Sequence, residues 1–435
     1  LILAVEGNEG TSGMRPTTRI ATALAALALA GAPALEGKIL VPMDPAQRDH
    51  LKAYGVAWWT LSQGVDVEWL LNYRGGSFMM DEFPALEERL RLTGVSWESV
   101  GGAAAAAIHA TIEQENMDRI LLEKAPKVAI YAPPDSQPWD DAVTMALEYA
   151  EIEFDRIWDE EVLTGKLPDY DWLHLHHEDF TGQYGKFYAQ YHSAAWYIRQ
   201  QAEAEALARR LGFAKVSRAK LAVALAIRDF MEQGGFMFAM CSATDSYDVA
   251  LSAMDTDICD AVFDGDGIDP GWAGKIDYSQ CVAFTDFQII TDPMVYEFSD
   301  IDLGPVTGRN IPEEQDWFSL FEFSAKWDPV PTMLTQNHVS WVRGFMGQTT
   351  AFRRDRLKPH VLVMGEIEGS NETRYIHGNV GKGTFTFYGG HDPEDYRHMV
   401  GDPETQLSLH RNSPGYRLIL NNVLFPAAKK KKQKT

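Results

Sequence analysis

Cysteine is scarce in this chain: 435 residues contain three, Cys241, Cys259 and Cys281. So few thiols exclude a disulfide-stapled scaffold, and the odd number leaves at least one of them outside any intramolecular pair. Cys259 and Cys281 share a Gly/Asp-rich stretch and are candidates to pair with each other. Positive charge is also short, with 39 Lys and Arg against 62 Asp and Glu for a net −23. That balance excludes nucleic acid as a partner for the body of the protein. Beyond the N-terminal region no apolar run approaches the roughly 20 residues of a membrane-spanning helix. Internal repeats are missing, and so is the HExxH metal motif.

The first apolar run has a different character. Met14 to Arg19 is short and basic, Ile20 to Ala30 is apolar, and Ala32-Pro33-Ala34 offers small residues for cleavage. This is the layout of a secretory signal peptide over 14–34, with 1–13 read as an upstream translation artefact. The protein is therefore expected to be exported, to a bacterial periplasm or the extracellular space. The other end is the run Lys429-Lys430-Lys431-Lys432-Gln433-Lys434. A like-charged run of this kind is solvated, or docks on an anionic surface or an acidic partner.

Between these ends, strand-like and helical patterns alternate. Lys38–Met43 and Val65–Tyr73 read as strands with helices after each, which predicts a parallel sheet in an N-terminal α/β segment, 35–125. Gly101 to Leu122 reads as one long helix. A second series starts at Lys127–Tyr131 and continues through strands at Phe154–Trp158, Asp171–His176 and Phe236–Met240. Residues 255–348 turn irregular, rich in Asp, Pro, Gly and aromatics, and read as an insertion. Strands resume at Val361–Met364, Arg374–Ile376 and Thr384–Tyr388, before a last helix at Tyr416–Val423. Residues 126–425 are thus one α/β domain, followed by the basic tail, 426–435.

The most informative stretch is Gly234-Gly235-Phe236-Met237-Phe238-Ala239-Met240-Cys241-Ser242. A helix ends on paired glycines, an apolar strand follows, and a Cys stands at the turn into the next helix. Such a turn lifts the side chain above the carboxyl end of the sheet and aims backbone N–H groups and a helix N-terminus at it. Both favour a thiolate and an oxyanion. The stretch resembles the nucleophile elbow of class I glutamine amidotransferase-like proteins. That resemblance implies a flavodoxin-like parallel sheet flanked by helices. It also implies Cys241 as nucleophile, with Ser242 and Gly235 shaping the oxyanion pocket.

In the run Gly381-Lys382-Gly383-Thr384-Phe385-Thr386-Phe387-Tyr388-Gly389-Gly390-His391, a strand delivers His391 at its end. The same superfamily places its catalytic His there, with an acid two residues on. Here that position is Pro393, and the nearest acids are Asp392 and Glu394. The stretch is closer to the trehalose-utilisation-like branch, which is not a set of glutaminases. The closing run, HDPEDY…NSPGYRLILNNVLFPAAKKKK, resembles secreted bacterial proteins labelled asparagine synthetase B. The motifs do not support that activity, because no SGG-x-DS pyrophosphate loop for ATP occurs.

A third strand end carries His174-Leu175-His176-His177-Glu178. His174 and His176 share one strand face, and ligands of open α/β sheets gather at the strands' carboxyl ends. Convergence there would join His176, His177, Glu178, Cys241 and His391. These are the donors of a zinc site (His176, His177, Glu178, His391) and equally of a Cys–His hydrolytic site. In the hydrolytic reading Cys241 attacks, His391 is the base, Glu394 or Glu178 orients it, and His177 and Asp392 line the pocket. The substrate would be a small molecule. A ligand-binding or scaffolding protein of the cell envelope is the non-catalytic alternative.

Overall fold

A computed structural model describes residues 37–135, 137–304 and 308–428. The expected signal peptide at 14–34, the stretch before it and the run Lys429–Lys434 lie outside the described residues. Among the described residues no helix is long and apolar enough to cross a membrane.

The described residues form a mixed α/β structure with two sheets. The first holds β1 (Lys38–Val41), β2 (Val67–Leu71), β3 (Ser77–Asp81), β4 (Glu98–Val100) and β5 (Asp118–Leu122), in the order β4-β1-β3-β2-β5. Every pairing in it is antiparallel, not parallel as the strand–helix alternation suggested. The reason is local. Asn72, Arg74, Gly75 and Gly76 all adopt positive φ, so the chain reverses between Leu71 and Ser77 and β3 returns beside β2. A parallel partner needs a crossover of a dozen or more residues. The helix foreseen over Gly101–Leu122 stops at Gln114, and Asp118–Leu122 instead pairs with β2.

The second sheet contains β6 (Val128–Tyr131), β7 (Phe154–Ile157), β8 (Trp172–Leu175), β9 (Phe236–Met240), β10 (Trp317–Leu320), β11 (Trp341–Arg343), β12 (Phe352–Arg353), β13 (Leu362–Glu366), β14 (Glu372–Val380) and β15 (Gly383–Tyr388). Its order is β11-β10-β13-β14-β15-β9-β8-β6-β7, with β12 on β14. The run β7-β6-β8-β9-β15 is parallel. The strands beyond it are antiparallel. The segment 255–348 therefore supplies the two strands at one end of the sheet, β10 and the edge strand β11.

Alternation along the parallel strands feeds two cores. Ile130, Trp172, Phe238 and Met240 pack on helices Ala142–Ala150 and Pro414–Leu424, in a cluster shared with Val41, Trp69 and Phe78 of the first sheet. Tyr131, Leu173, Leu175, Met237 and Ala239 pack on helices Val216–Gln233 and Cys241–Ser252. With both faces covered, the carboxyl ends of these strands are the open side of the layer.

One buried ion network shapes the loop above that side. Arg374, fully buried on β14, donates to Glu372 and Asp316 at 2.8 Å each, and to the Phe345 and Thr350 carbonyls at 2.7 and 2.8 Å. Arg309 bridges the same two carboxylates. Arg374→Leu leaves both acids short of a partner and frees two buried carbonyls. It is expected to cost about 3–5 kcal/mol of stability, the usual effect of breaking a buried pair from one side. Urea unfolding checks this, and a loss under about 1 kcal/mol would mean that the network is solvated.

Candidate active site

β9 ends at Met240, and Cys241 begins the next helix at φ +47°. A non-glycine residue at positive φ is strained, and the surroundings must hold it there. They do so from both sides: the Cys241 amide donates to Gly390 O at 3.1 Å, and the Ala243 amide to His176 O at 3.0 Å. Gly390 has φ +104°, and a Cβ there would lie 2.4 Å from the Phe345 ring, so only glycine fits. The ends of β8, β9 and β15 are thereby locked level, with His176, Cys241 and His391 side by side.

The thiol is 5% exposed. It lines a cavity of about 340 Å³ together with Ser242, Gln348, His391, Trp139 and Tyr296. The Gln348 amide donates to Sγ at 3.3 Å. Burial alone would raise the thiol's pKa. Contact with His391 and the Gln348 and Ser242 amides outweighs burial and holds it below the usual value. For His391 burial acts downward, yet Asp140 and the thiol raise it to about 10. Both shifts favour the thiolate–imidazolium form of the pair.

Asp140 completes a line of three. Its Oδ1 lies 3.2 Å from His391 Nε2, which leaves Nδ1 for the sulfur side. Burial pushes the carboxyl up, but the His391 charge brings it below the usual range. Sequence reasoning missed this residue. It stands in the loop after β6, one position before Asp141, which caps helix Ala142–Ala150 by accepting from Thr144 N at 2.8 Å. The adjacent pair Asp140-Asp141 at a strand's carboxyl end was the available signal. A second imidazole, His398, stacks on His391 at 4.4 Å. Its Nε2 lies 3.1 Å from the same Asp140 oxygen, and its Nδ1 is 2.9 Å from Asp395 Oδ2.

The other expected residues divide. His177 joins the cluster, with ring centroids 4.1 Å from His176 and 4.9 Å from His391. One donor atom from each of His176, His177, Cys241 and His391 falls within 4.8 Å of the others, a group that could hold a metal ion. Burial keeps His176 neutral, with its pKa lowered to about 4, and holds His177 well below its usual value. His174 lies deeper, between Trp172 and Phe238, with Asp141 Oδ2 at 3.3 Å.

Glu178 does not reach His391. Its carboxylate turns back to accept the His176 amide at 2.6 Å, and burial raises its pKa to about 8. Glu394 pairs with His410 at 2.8 Å. Asp392 is fully buried and accepts from Tyr416 OH and Glu394 N, each at 2.8 Å. Ser242 sits in the first turn of the helix, its Oγ unpartnered and its residue lining the cavity. Gly235 precedes β9, at the end of that strand opposite Cys241, where a Cβ would meet the Phe230 ring at 2.3 Å. It takes no part in the pocket.

Behind the elbow, Asp245 is 1% exposed and accepts from Ser299 Oγ at 2.8 Å. Burial raises its pKa to about 7. A carboxyl raised in the folded state stabilises fully below the unfolded value near 3.9, and that contribution is lost as pH climbs through about 7. Asp245→Asn should therefore flatten the fall in melting temperature between pH 5 and 8 and melt higher than the parent at pH 8. Scanning calorimetry across that range checks it, and parallel pH profiles would contradict it.

No protein-family model matches the chain, and no curated protein matches it. Two solved structures align over 70% of this chain and 100% of their own. Cytoplasmic Protein STM3548 from Salmonella typhimurium is 10% identical with a TM-score of 0.33. Cytoplasmic Protein STM1381 from Salmonella typhimurium LT2 is 12% identical at 0.35. Scores this low define no shared fold.

Proposed function

We propose that this protein is a thiol-dependent acyl-transfer enzyme, a hydrolase or amidase acting on a small molecule. The carrying observation is a cysteine at positive φ on a strand-to-helix turn, sharing one cavity with a histidine that is itself held by a buried aspartate. The Cys241 thiolate attacks a carbonyl carbon, forming a C–S bond while the carbonyl π electrons move to oxygen. The Ser242 amide, in the first turn of its helix, is placed to meet that oxyanion. His391 gives its proton to the departing amine or alcohol as the C–N or C–O bond breaks. It then takes one from the water that releases the acid, and Asp140 holds the ring in register throughout. The parallel strand order β7-β6-β8-β9-β15 corresponds to the flavodoxin-like order 2-1-3-4-5 and supports the amidotransferase-like reading of the fold. Export rests on the 14–34 layout, and attachment to an anionic surface on Lys429–Lys434.

p-Nitrophenyl acetate tests the mechanism. A burst of nitrophenol with one acetyl group recovered on Cys241 is expected, and acetylation elsewhere or nowhere would reject it.

A second reading has its own observation. Nε2 of His176 and Nε2 of His177 have no hydrogen-bond partner, and His176 Nδ1 lies 3.4 Å from Asp141 Oδ1. Three imidazoles and a thiolate would be a tetrahedral zinc donor set once the metal displaces the His391 proton, with Cys241 in place of the Glu178 foreseen from sequence. Under this reading purified protein carries about one equivalent of zinc, and Cys241 alkylates only after chelation. Alkylation unaffected by chelator, with metal far below stoichiometric, removes it.

A further inference from the structure

A larger cavity, of about 910 Å³, adjoins the first and shares Trp139, His177 and Phe187 with it. Its size suits a small ligand. Eleven carboxylates line it against three basic side chains, an excess well beyond the 62 to 39 of the chain as a whole. Two of those bases are already paired, Lys220 with Asp159 at 2.8 Å and Arg210 with Glu160 at 2.7 Å. Asp135, Glu148, Glu203 and Glu404 stand exposed around the wall. Asp135 and Glu203 lie close enough that each opposes the other's charge.

A second feature at the inner end points to a ligand. The Asp140 side chain is 4% exposed and lines this cavity, and its Oδ2 has no partner. On the same wall the Trp158 ring already holds a cation, the Lys220 ammonium 3.8 Å from its centroid. A negative, low-dielectric cavity concentrates cations and repels anions.

We infer, on the basis of the thiol-hydrolase reading, that the acyl donor is cationic: an amide or ester bearing an ammonium or guanidinium group, seated in the acidic cavity while its carbonyl meets Cys241. At the reaction centre the Cys241 thiolate and the His391 imidazolium offset each other, so the pair itself selects neither sign, and Asp140 belongs to the cavity wall. Cation preference at Cys241 would thus come from the adjoining cavity.

Two methanethiosulfonate reagents that differ only in charge, a trimethylammonium and a sulfonate, test this in the full chain at low ionic strength. Mass spectrometry reads the rate at Cys241, and N-acetylcysteine amide, which has no charge besides the thiol, supplies the intrinsic ratio. The cationic reagent should be favoured about tenfold beyond that ratio. The triple variant E148Q/E203Q/E404Q should reduce the preference several-fold, and E88Q/E113Q/E115Q, on the first sheet's side, should leave it unchanged. A ratio equal to that of N-acetylcysteine amide, or an equal loss in both triple variants, overturns the cationic donor while leaving the thiol mechanism standing. Failure of both reagents to modify Cys241 overturns the mechanism and the donor class together.

Discussion

Cys241→Ala is expected to abolish acyl transfer from p-nitrophenyl acetate, by about 10³-fold or more, with its fold intact. Alanine keeps the Cβ and thus the positive-φ backbone at 241, and the two amide contacts to Gly390 and His176 do not use the side chain. Only the sulfur is lost. Cys241→Ser should fall nearly as far, because the imidazolium that stabilises a thiolate cannot ionise a hydroxyl whose pKa lies so much higher. Circular dichroism and a melting curve on both variants separate lost chemistry from lost fold. An alanine variant within a few-fold of the parent would place the reaction elsewhere.

Asp140→Asn carries the second largest effect, a fall of about 10²–10⁴-fold in acylation at neutral pH. Asparagine matches the shape of Asp140 but not its charge. His391 loses the carboxylate that, with the thiol, raises it to about 10. The amide can also donate to Nε2, which forces the proton onto Nδ1 and away from its base role. Thiol alkylation should then require higher pH, since the imidazolium that favours the thiolate is gone. Glu394→Gln and Glu178→Gln are the matched controls. Glu394 faces His410, and Glu178 is raised to about 8 and so already protonated at pH 7. Both should stay within several-fold of the parent, and a larger loss in either than in Asp140→Asn would reassign the orienting acid.

The contrast among these three acids shows what the sequence could carry. The positions of Cys241 and His391 were legible because each follows an apolar strand, and strand ends are where an open sheet gathers its ligands. Glu394 drew attention by proximity to His391 along the chain, yet the turn at Asp392–Asp395 directs it to His410. Asp140 lies 251 residues from its histidine, and in sequence it is one more acid in a Pro/Asp-rich loop. Only the pairing of β6 beside β8 brings that loop over the site. Gly235 failed for a geometric reason, since a five-residue strand separates it from Cys241 by about 17 Å. The first sheet misled because strand–helix alternation reads alike in parallel and antiparallel arrangements. The positive-φ turn at Asn72–Gly76 decided it, and the short strand Ser77–Asp81 behind it was hidden between a glycine pair and a proline-started helix.

The three cysteines of the native protein provide the most direct test. Burial raises Cys259 and Cys281 well above the usual thiol value, and only Cys241 is lowered. All three are free and buried, so a ranking among them reports ionisation and access to the cavity rather than surface exposure. Iodoacetamide at pH 7, followed by peptide mass spectrometry over time, should modify Cys241 about 10²-fold faster than either of the others. Equal rates at all three sites, or reaction at Cys259 or Cys281 first, would contradict an activated nucleophile at the end of β9.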